Sequence, residues 1–266
     1  MGDTSRAAAG AKPKPVLELV DAAIARPQEP ELALMSDVQF RVDAGDFSVV
    51  AGLQGSGKTI LLEAAAGLQP LLHGHLRLFG EPVTRVEGDA FRAIRRRIGV
   101  VFEGSGRLFQ RLTVEENVSL PLRYHQDVEI EDVAPQIAEV MEVCGIGHLV
   151  GISASRLAKG WQLRVALARA LSLKPELLLL DNPLAGLDSV HTLWWRTFLL
   201  DLVRGHPYFG GVPRSLVVMC DDLRPWVRLG KRFSLVSEGR WRTLGDQASV
   251  LADADPIVRA LLTEGF

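Results

Sequence analysis

The chain has 266 residues, of which 47% are hydrophobic and 23% charged, and its formal net charge is −2. That length suits one large domain or two modest ones, the composition is ordinary for a globular protein, and the near-neutral charge argues against a general nucleic-acid binder. The two cysteines, Cys144 and Cys220, fall in apolar stretches and read as reduced core residues, not a disulfide framework. No run approaches the roughly 18 apolar residues that span a bilayer, so direct membrane insertion is not expected and any membrane role falls to a partner subunit.

Residues Met1 to Pro15 are small, polar and proline-bearing without an apolar stretch, which predicts a flexible tail and not a signal peptide. Val16–Val20 is expected as a first strand and Val38–Val42, alternating apolar and polar, as a second. Between them Arg26-Pro27-Gln28-Glu29-Pro30 reads as a turn-rich loop. Asp43–Asp46 forms a tight turn into the strand Phe47–Ala51. The next residues are Gly52-Leu53-Gln54-Gly55-Ser56-Gly57-Lys58-Thr59, the G-x-x-x-x-G-K-[ST] phosphate loop in its required strand–loop–helix setting. Gly52, Gly55 and Gly57 let backbone N–H groups turn inward around a polyphosphate, and the helix that opens at Ile60 adds the partial positive charge of its N-terminus. Lys58 can reach the β- and γ-phosphates, and the Thr59 hydroxyl can ligate Mg²⁺. The expected nucleotide contacts run from Gly52 through Ile60, with ATP or GTP as ligand.

Gly67 and Pro70 end that helix. His73-Gly74-His75 reads as a turn before a strand at His75–Phe79; without a carboxylate or cysteine beside it, it makes a poor metal site. Ala90–Arg97 is a basic, solvated helical stretch, and Ile98–Phe102 a buried strand. Thr113–Val118, Ile130–Val143 and Trp161–Leu171 follow as helices without intervening strands, as a helical subdomain inserted into an α/β core would. Leu177–Asp181 is a fully buried parallel strand ending in an acid, and Asp181 can hold Mg²⁺ beside the phosphate loop. A helix at Ser189–Arg204, strands at Ser215–Met219, Phe233–Val236 and Trp241–Leu244, and a terminal helix at Asp255–Leu262 complete the chain.

The order of these motifs resembles the ATP-binding subunit of ABC transporters over about residues 16–265. Arg164–Leu171 resembles the helix after that family's signature sequence, Leu184-Ala185-Gly186-Leu187-Asp188 its D-loop, and Leu108-Phe109 with Leu112–Val118 the segment that lines the groove for a transmembrane partner. The resemblance implies an α/β fold with a P-loop NTPase core and mostly parallel sheet, an antiparallel β subdomain, and an α-helical subdomain at about 104–172. It further implies MgATP binding, a homo- or heterodimer of ATP-binding subunits, an integral-membrane permease partner, and a cytoplasmic, peripheral location. Asn117–His125 and Asp255–Leu262 resemble, more narrowly, the ATPases of Mla/Mce-type lipid transporters.

The departures from the family pattern cluster. Asn182 stands where the family places the glutamate that polarises water, and an amide cannot serve as general base. Asp221 stands in the place of the switch histidine, where an anion repels a γ-phosphate unless a cation intervenes. Glu103 replaces the glutamine that senses Mg²⁺ and water. The signature is Leu157-Ala158-Lys159-Gly160-Trp161, in which Ala158 lacks the hydroxyl that would meet the opposite subunit's γ-phosphate. Arg26 aligns with the aromatic that stacks on adenine, and a guanidinium can stack in its stead. The phosphate and metal groups, Lys58, Thr59 and Asp181, are kept. The expectation is therefore MgATP binding with weak hydrolysis, the alternative being a nucleotide-binding, non-hydrolysing scaffold or regulatory module.

Overall fold

The computed structural model describes residues 15–84 and 88–263, and most of the expected N-terminal tail lies outside them. In chain order the elements are β1 (Pro15–Arg26), β2 (Glu29–Asp43), β3 (Phe47–Ala51), α1 (Lys58–Ala65), β4 (His73–Leu78), β5 (Glu81–Pro82), α2 (Asp89–Arg95), β6 (Ile98–Val101), α3 (Val114–Gln126), α4 (Ile130–Val143), α5 (Lys159–Leu171), β7 (Leu177–Asp181), α6 (Ser189–Arg204), β8 (Ser215–Cys220), β9 (Arg232–Ser237), β10 (Arg240–Gly245), α7 (Gln247–Ala252) and α8 (Pro256–Leu262). Among the described residues the strands form one sheet in the order β5-β4-β1-β2-β10-β9-β3-β8-β7-β6. The block β9-β3-β8-β7-β6 is parallel. The block β5-β4-β1-β2 is antiparallel. β10 joins the two, antiparallel to β9 and paired in parallel with β2 at Arg240 and Ser36.

The continuous apolar runs of β7 and β8 follow from burial on both faces. Leu178, Leu180, Leu216, Val218 and Cys220 enter one core with α3, α4, α5 and α6. Leu177, Leu179, Val217 and Met219 enter the other with Leu61, Leu62 and Ala65 of α1. Each such leucine contributes about 1.5–3 kcal/mol on burial. α3, α4 and α5 stand between β6 and β7 in the chain with no strand among them. α3 begins on a capping box, in which Thr113 accepts from the Glu116 backbone and Glu116 returns the bond to the Thr113 N–H.

Several expectations need correction. Pro15 belongs to β1, opposite Asp43, a strand-start position where a missing N–H is tolerated. The loop expected over Arg26–Pro30 contracts to a turn at Pro27-Gln28, with Arg26 paired across it to Glu29; proline presets the φ such a turn needs. His73 and Gly74 lie inside β4. A Cβ on Gly74, at φ +85°, would fall within van der Waals overlap of the Asp21 carbonyl, where β1 bulges between Val20 and Ala23, and only glycine fits there. α5 starts at Lys159, with Ala158 as its N-cap, so most of the signature is the first turn of a helix. α7, capped by Asp246, is too short for its periodicity to stand out.

Candidate functional site

β3, β8 and β7 are neighbours, and their carboxyl ends are tied together. Gly52 N–H donates to Cys220 O at 3.1 Å, and Asn182 N–H to Met219 O at 2.9 Å. The phosphate loop, Asp181, Asn182 and Asp221 thus emerge side by side, at the place where open α/β sheets bind ligands. They share a cleft of about 360 Å³ lined by Gln54, Gly55, Gly57, Lys58, Thr59, Ile60, Glu103, Asp181, Asn182 and Asp221, with Pro27 and Leu34 at its side. A larger, mainly apolar cleft of about 630 Å³ lies beside β4 and β5, with Pro70, Leu71, Leu76, Pro82 and Val83 among its lining and, among the described residues, no carboxylate. Convergent chemistry, not size, marks the smaller one.

Within the loop, Gly55 and Gly57 have φ of +79° and +95°, the left-handed region that favours glycine. Lys58 is buried, and its Nζ donates to Gly52 O at 2.7 Å and Leu53 O at 2.8 Å. Burial pushes its pKa down, and Asp221 leads the charges that oppose the shift. Thr59 Oγ1 donates to Asp181 Oδ2 at 2.7 Å. Burial raises the Asp181 pKa, and the Thr59 bond pulls it back.

MgATP fits this donor set. Ser56 Oγ is buried in the loop without a hydrogen-bond partner among the described residues, a spare donor of the kind a phosphate oxygen satisfies. Thr59 and Asp181 together present a hydroxyl and a carboxylate, hard oxygen ligands suited to Mg²⁺.

Asn182 has φ +44°, a left-handed conformation that asparagine tolerates better than most residues. Its Nδ2 donates to Asp221 Oδ2 at 3.1 Å and to Glu103 Oε1 at 3.4 Å. Asn182 therefore bridges Asp221 and Glu103, two of the other positions expected to depart from the family pattern. Glu103 arrives on the loop after β6, which α5 anchors: Arg169 donates to Gly106 O at 2.6 Å and Arg107 O at 3.0 Å. Gly106 has φ +64°, and a Cβ there would lie 2.2 Å from Ala166 Cβ. Further along, buried Asn117 accepts from Phe109 N–H at 2.9 Å and donates to Phe109 O and Thr113 O at 3.0 and 2.9 Å. It holds Phe109 with 59% of its surface exposed.

The signature residues Leu157–Trp161 and Asp188 do not line this cleft. They meet elsewhere. Asp188 caps α6 by accepting from His191 N–H at 2.8 Å, and the His191 ring lies against Gly160, where a Cβ would come within 2.4 Å of it. Trp161 stands edge-on to His191, with ring centroids 5.0 Å apart. The guanidinium of buried Arg164 lies 4.8 Å from the Trp161 ring centre and 3.9 Å from that of Trp194, a cation–π arrangement. Arg26, expected as a base platform, pairs with Glu29 at 3.2 Å. Pro27 and Leu34, at the cleft side, carry no motif and reach it only because the hairpin folds back. His191 likewise left no local signal.

A buried lysine, a threonine–aspartate pair and a glycine-shaped loop between strand and helix define a P-loop nucleotide-binding protein. The chain belongs to the ABC transporter family, whose family model matches residues 35–185. The molybdate/tungstate import ATP-binding protein WtpC of Pyrococcus horikoshii is 32% identical over 218 residues, covering 82% of this chain and 59% of that protein. The methionine import ATP-binding protein MetN of Clostridium acetobutylicum is 26% identical over 229 residues, covering 86% of this chain and 69% of that protein. The chain thus spans about three-fifths to two-thirds of the length of these relatives. Among solved structures, cbiO1 from Clostridium perfringens, part of the ABC transporter complex cbiONQ, superposes with TM-score 0.75 at 20% identity, over 93% of this chain and 94% of its own. The ATP-binding cassette MJ0796, a dimer in a post-hydrolysis state bound to ADP and phosphate, gives TM-score 0.74 at 25% identity, over 86% and 98%. The fold is the ABC ATPase fold.

Proposed function

We propose that this chain is the ATP-binding subunit of an ABC transporter, that MgATP closes a dimer of such subunits, and that closure is coupled to a membrane permease. The observation that carries the reading is the Thr59–Asp181 contact at 2.7 Å beside the buried Lys58. Loop N–H groups and Lys58 take the β- and γ-phosphates; Thr59 and Asp181 take Mg²⁺, which neutralises charge on the phosphates. The helix-start Lys159 and the Asp188 turn face the partner subunit's nucleotide, and the exposed Phe109 seats the permease from the cytoplasmic side. No helix among the described residues is long and apolar enough to cross a membrane.

The transported substrate is proposed to be a phospholipid or similar apolar lipid, on the likeness of Asn117–His125 and Asp255–Leu262 to Mla/Mce-type ATPases. The relatives compared above are named for import of small solutes. Hydrolysis is slow, because Asn182 provides no general base, a loss worth about 10²–10⁴-fold. A second reading, a nucleotide-clamped scaffold without turnover, is favoured by Asn182 alone.

The test is MgATP affinity and turnover, for the protein by itself and with the permease encoded beside it. Micromolar-to-millimolar MgATP binding that Lys58→Ala abolishes supports the proposal. Binding that Lys58→Ala leaves intact overturns it. Turnover on the order of 1 s⁻¹ by the isolated protein would contradict slow hydrolysis, and lipid-independent rates in a reconstituted permease complex would contradict the lipid assignment.

A further inference from the structure

Hydrolysis of the terminal phosphate requires a basic oxygen beside the attacking water, and position 182 supplies only an amide. Three carboxylates line the cleft: Asp181, Glu103 and Asp221. Asp181 is buried and already bonded to Thr59. Glu103 lies on the loop after β6, the edge strand three places from β3, and meets Asn182 only at 3.4 Å. Asp221 directly follows Cys220, whose carbonyl accepts from the first glycine of the phosphate loop. One of its oxygens accepts from Asn182 at 3.1 Å, so the carboxylate is held in place. No other protein donor engages its second oxygen among the described residues, which leaves that oxygen for water.

We propose, resting on the MgATP-binding reading, that Asp221 is the catalytic carboxylate of whatever hydrolysis this protein performs, with Asn182 as its positioning residue. The general base then stands at the end of β8 instead of at position 182, and makes up only part of what Asn182 cannot supply. In the step, the water oxygen bonds to Pγ while the bond from Pγ to the β,γ-bridging oxygen breaks, and its electron pair leaves with ADP. The water proton passes to an Asp221 oxygen and then to solvent. Asn182 donates to the other oxygen and keeps the carboxylate from swinging toward the phosphates, which would repel it.

The experiment compares wild type, Asp221→Asn, Asp221→Glu and Glu103→Gln in MgATP turnover, in MgATP affinity by displacement of a fluorescent nucleotide, and in ATP-dependent dimer formation by light scattering. Asp221→Asn is expected to lower turnover by about 10²-fold or more. Its affinity is expected to stay equal or become tighter, since a negative charge near the phosphates is gone, and its ATP-bound dimer to persist. Asp221→Glu is expected to keep part of the rate, and Glu103→Gln to lose less than Asp221→Asn. Wild-type turnover matched by Asp221→Asn, or a larger loss in Glu103→Gln, overturns the assignment. MgATP binding by wild type with no turnover overturns it while leaving the binding reading intact. No MgATP binding at all strikes the binding reading itself, and the assignment with it.

Discussion

The side-chain amide of Asn182 lies 3.1 Å from Asp221 Oδ2 and 3.4 Å from Glu103 Oε1, so one NH₂ group stands between two carboxylates that would otherwise repel. Placing a glutamate at 182 removes that donor, adds a third negative charge, and puts a less tolerant side chain at φ +44°. Asn182→Glu is therefore expected to fall short of the ~10²-fold that a new general base would return. It is also expected to melt at lower temperature than wild type. Turnover and thermal unfolding measured on the same preparation check both.

Thr59 and Asp181 form the second pair. Thr59→Val keeps the shape but leaves a buried Asp181 oxygen without its donor, which costs about 1–3 kcal/mol. Denaturant unfolding without nucleotide is expected to show that loss, and MgATP affinity to fall sharply. Thr59→Ser, which keeps the hydroxyl, is expected to retain both.

Gly106 is where the loop carrying Glu103 touches α5. Because an alanine Cβ would overlap Ala166 Cβ at 2.2 Å, Gly106→Ala is expected to destabilise by about 1–3 kcal/mol. The Arg169 bonds to Gly106 and Arg107 carbonyls would be displaced with the loop. Amide hydrogen exchange over residues 103–108 is expected to speed up, with exchange in β7 unchanged.

Asn117 is fully buried, and it closes the turn beneath Phe109. Asn117→Ala leaves the Phe109 N–H without its acceptor, at about 1–3 kcal/mol, while the Phe109 and Thr113 carbonyls keep their backbone donors. Co-purification with the permease is expected to weaken, while MgATP affinity changes little. Undiminished co-purification would remove this loop from the proposed docking surface.

Cys144 and Cys220 are both buried and free, and burial pushes both thiols well above their ordinary range. A thiol reagent is expected to label neither in the native protein and both in denaturant. Rapid native labelling of Cys220 would show that the end of β8 opens.

The sequence made the phosphate loop, the double-faced strand Leu177–Asp181 and the helix Ser189–Arg204 readable, because each is specified by its own neighbours. It did not disclose Pro27 and Leu34 at the cleft, since a hairpin of β1 and β2 brings them there through pairings distant in sequence. Gly74 read as a turn because the bulge it accommodates belongs to another strand. In the sequence the departures at Asn182, Asp221 and Glu103 group by role, but nothing there shows that Asp221 and Glu103 share one side-chain partner. Their common attachment to Asn182 depends on the ends of β6, β7 and β8 lying side by side, which no local pattern encodes.

Arg164 sits between the rings of Trp161 and Trp194, on α5 and α6. Burial lowers its pKa, and parting α6 from α5 would take the Trp194 ring away from a desolvated cation. The two helices are therefore geared: rotation at the start of α5 is passed directly to the turn that Asp188 caps. A load applied at Gly160 and Trp161 reaches the turn at Asp188 without first crossing the sheet.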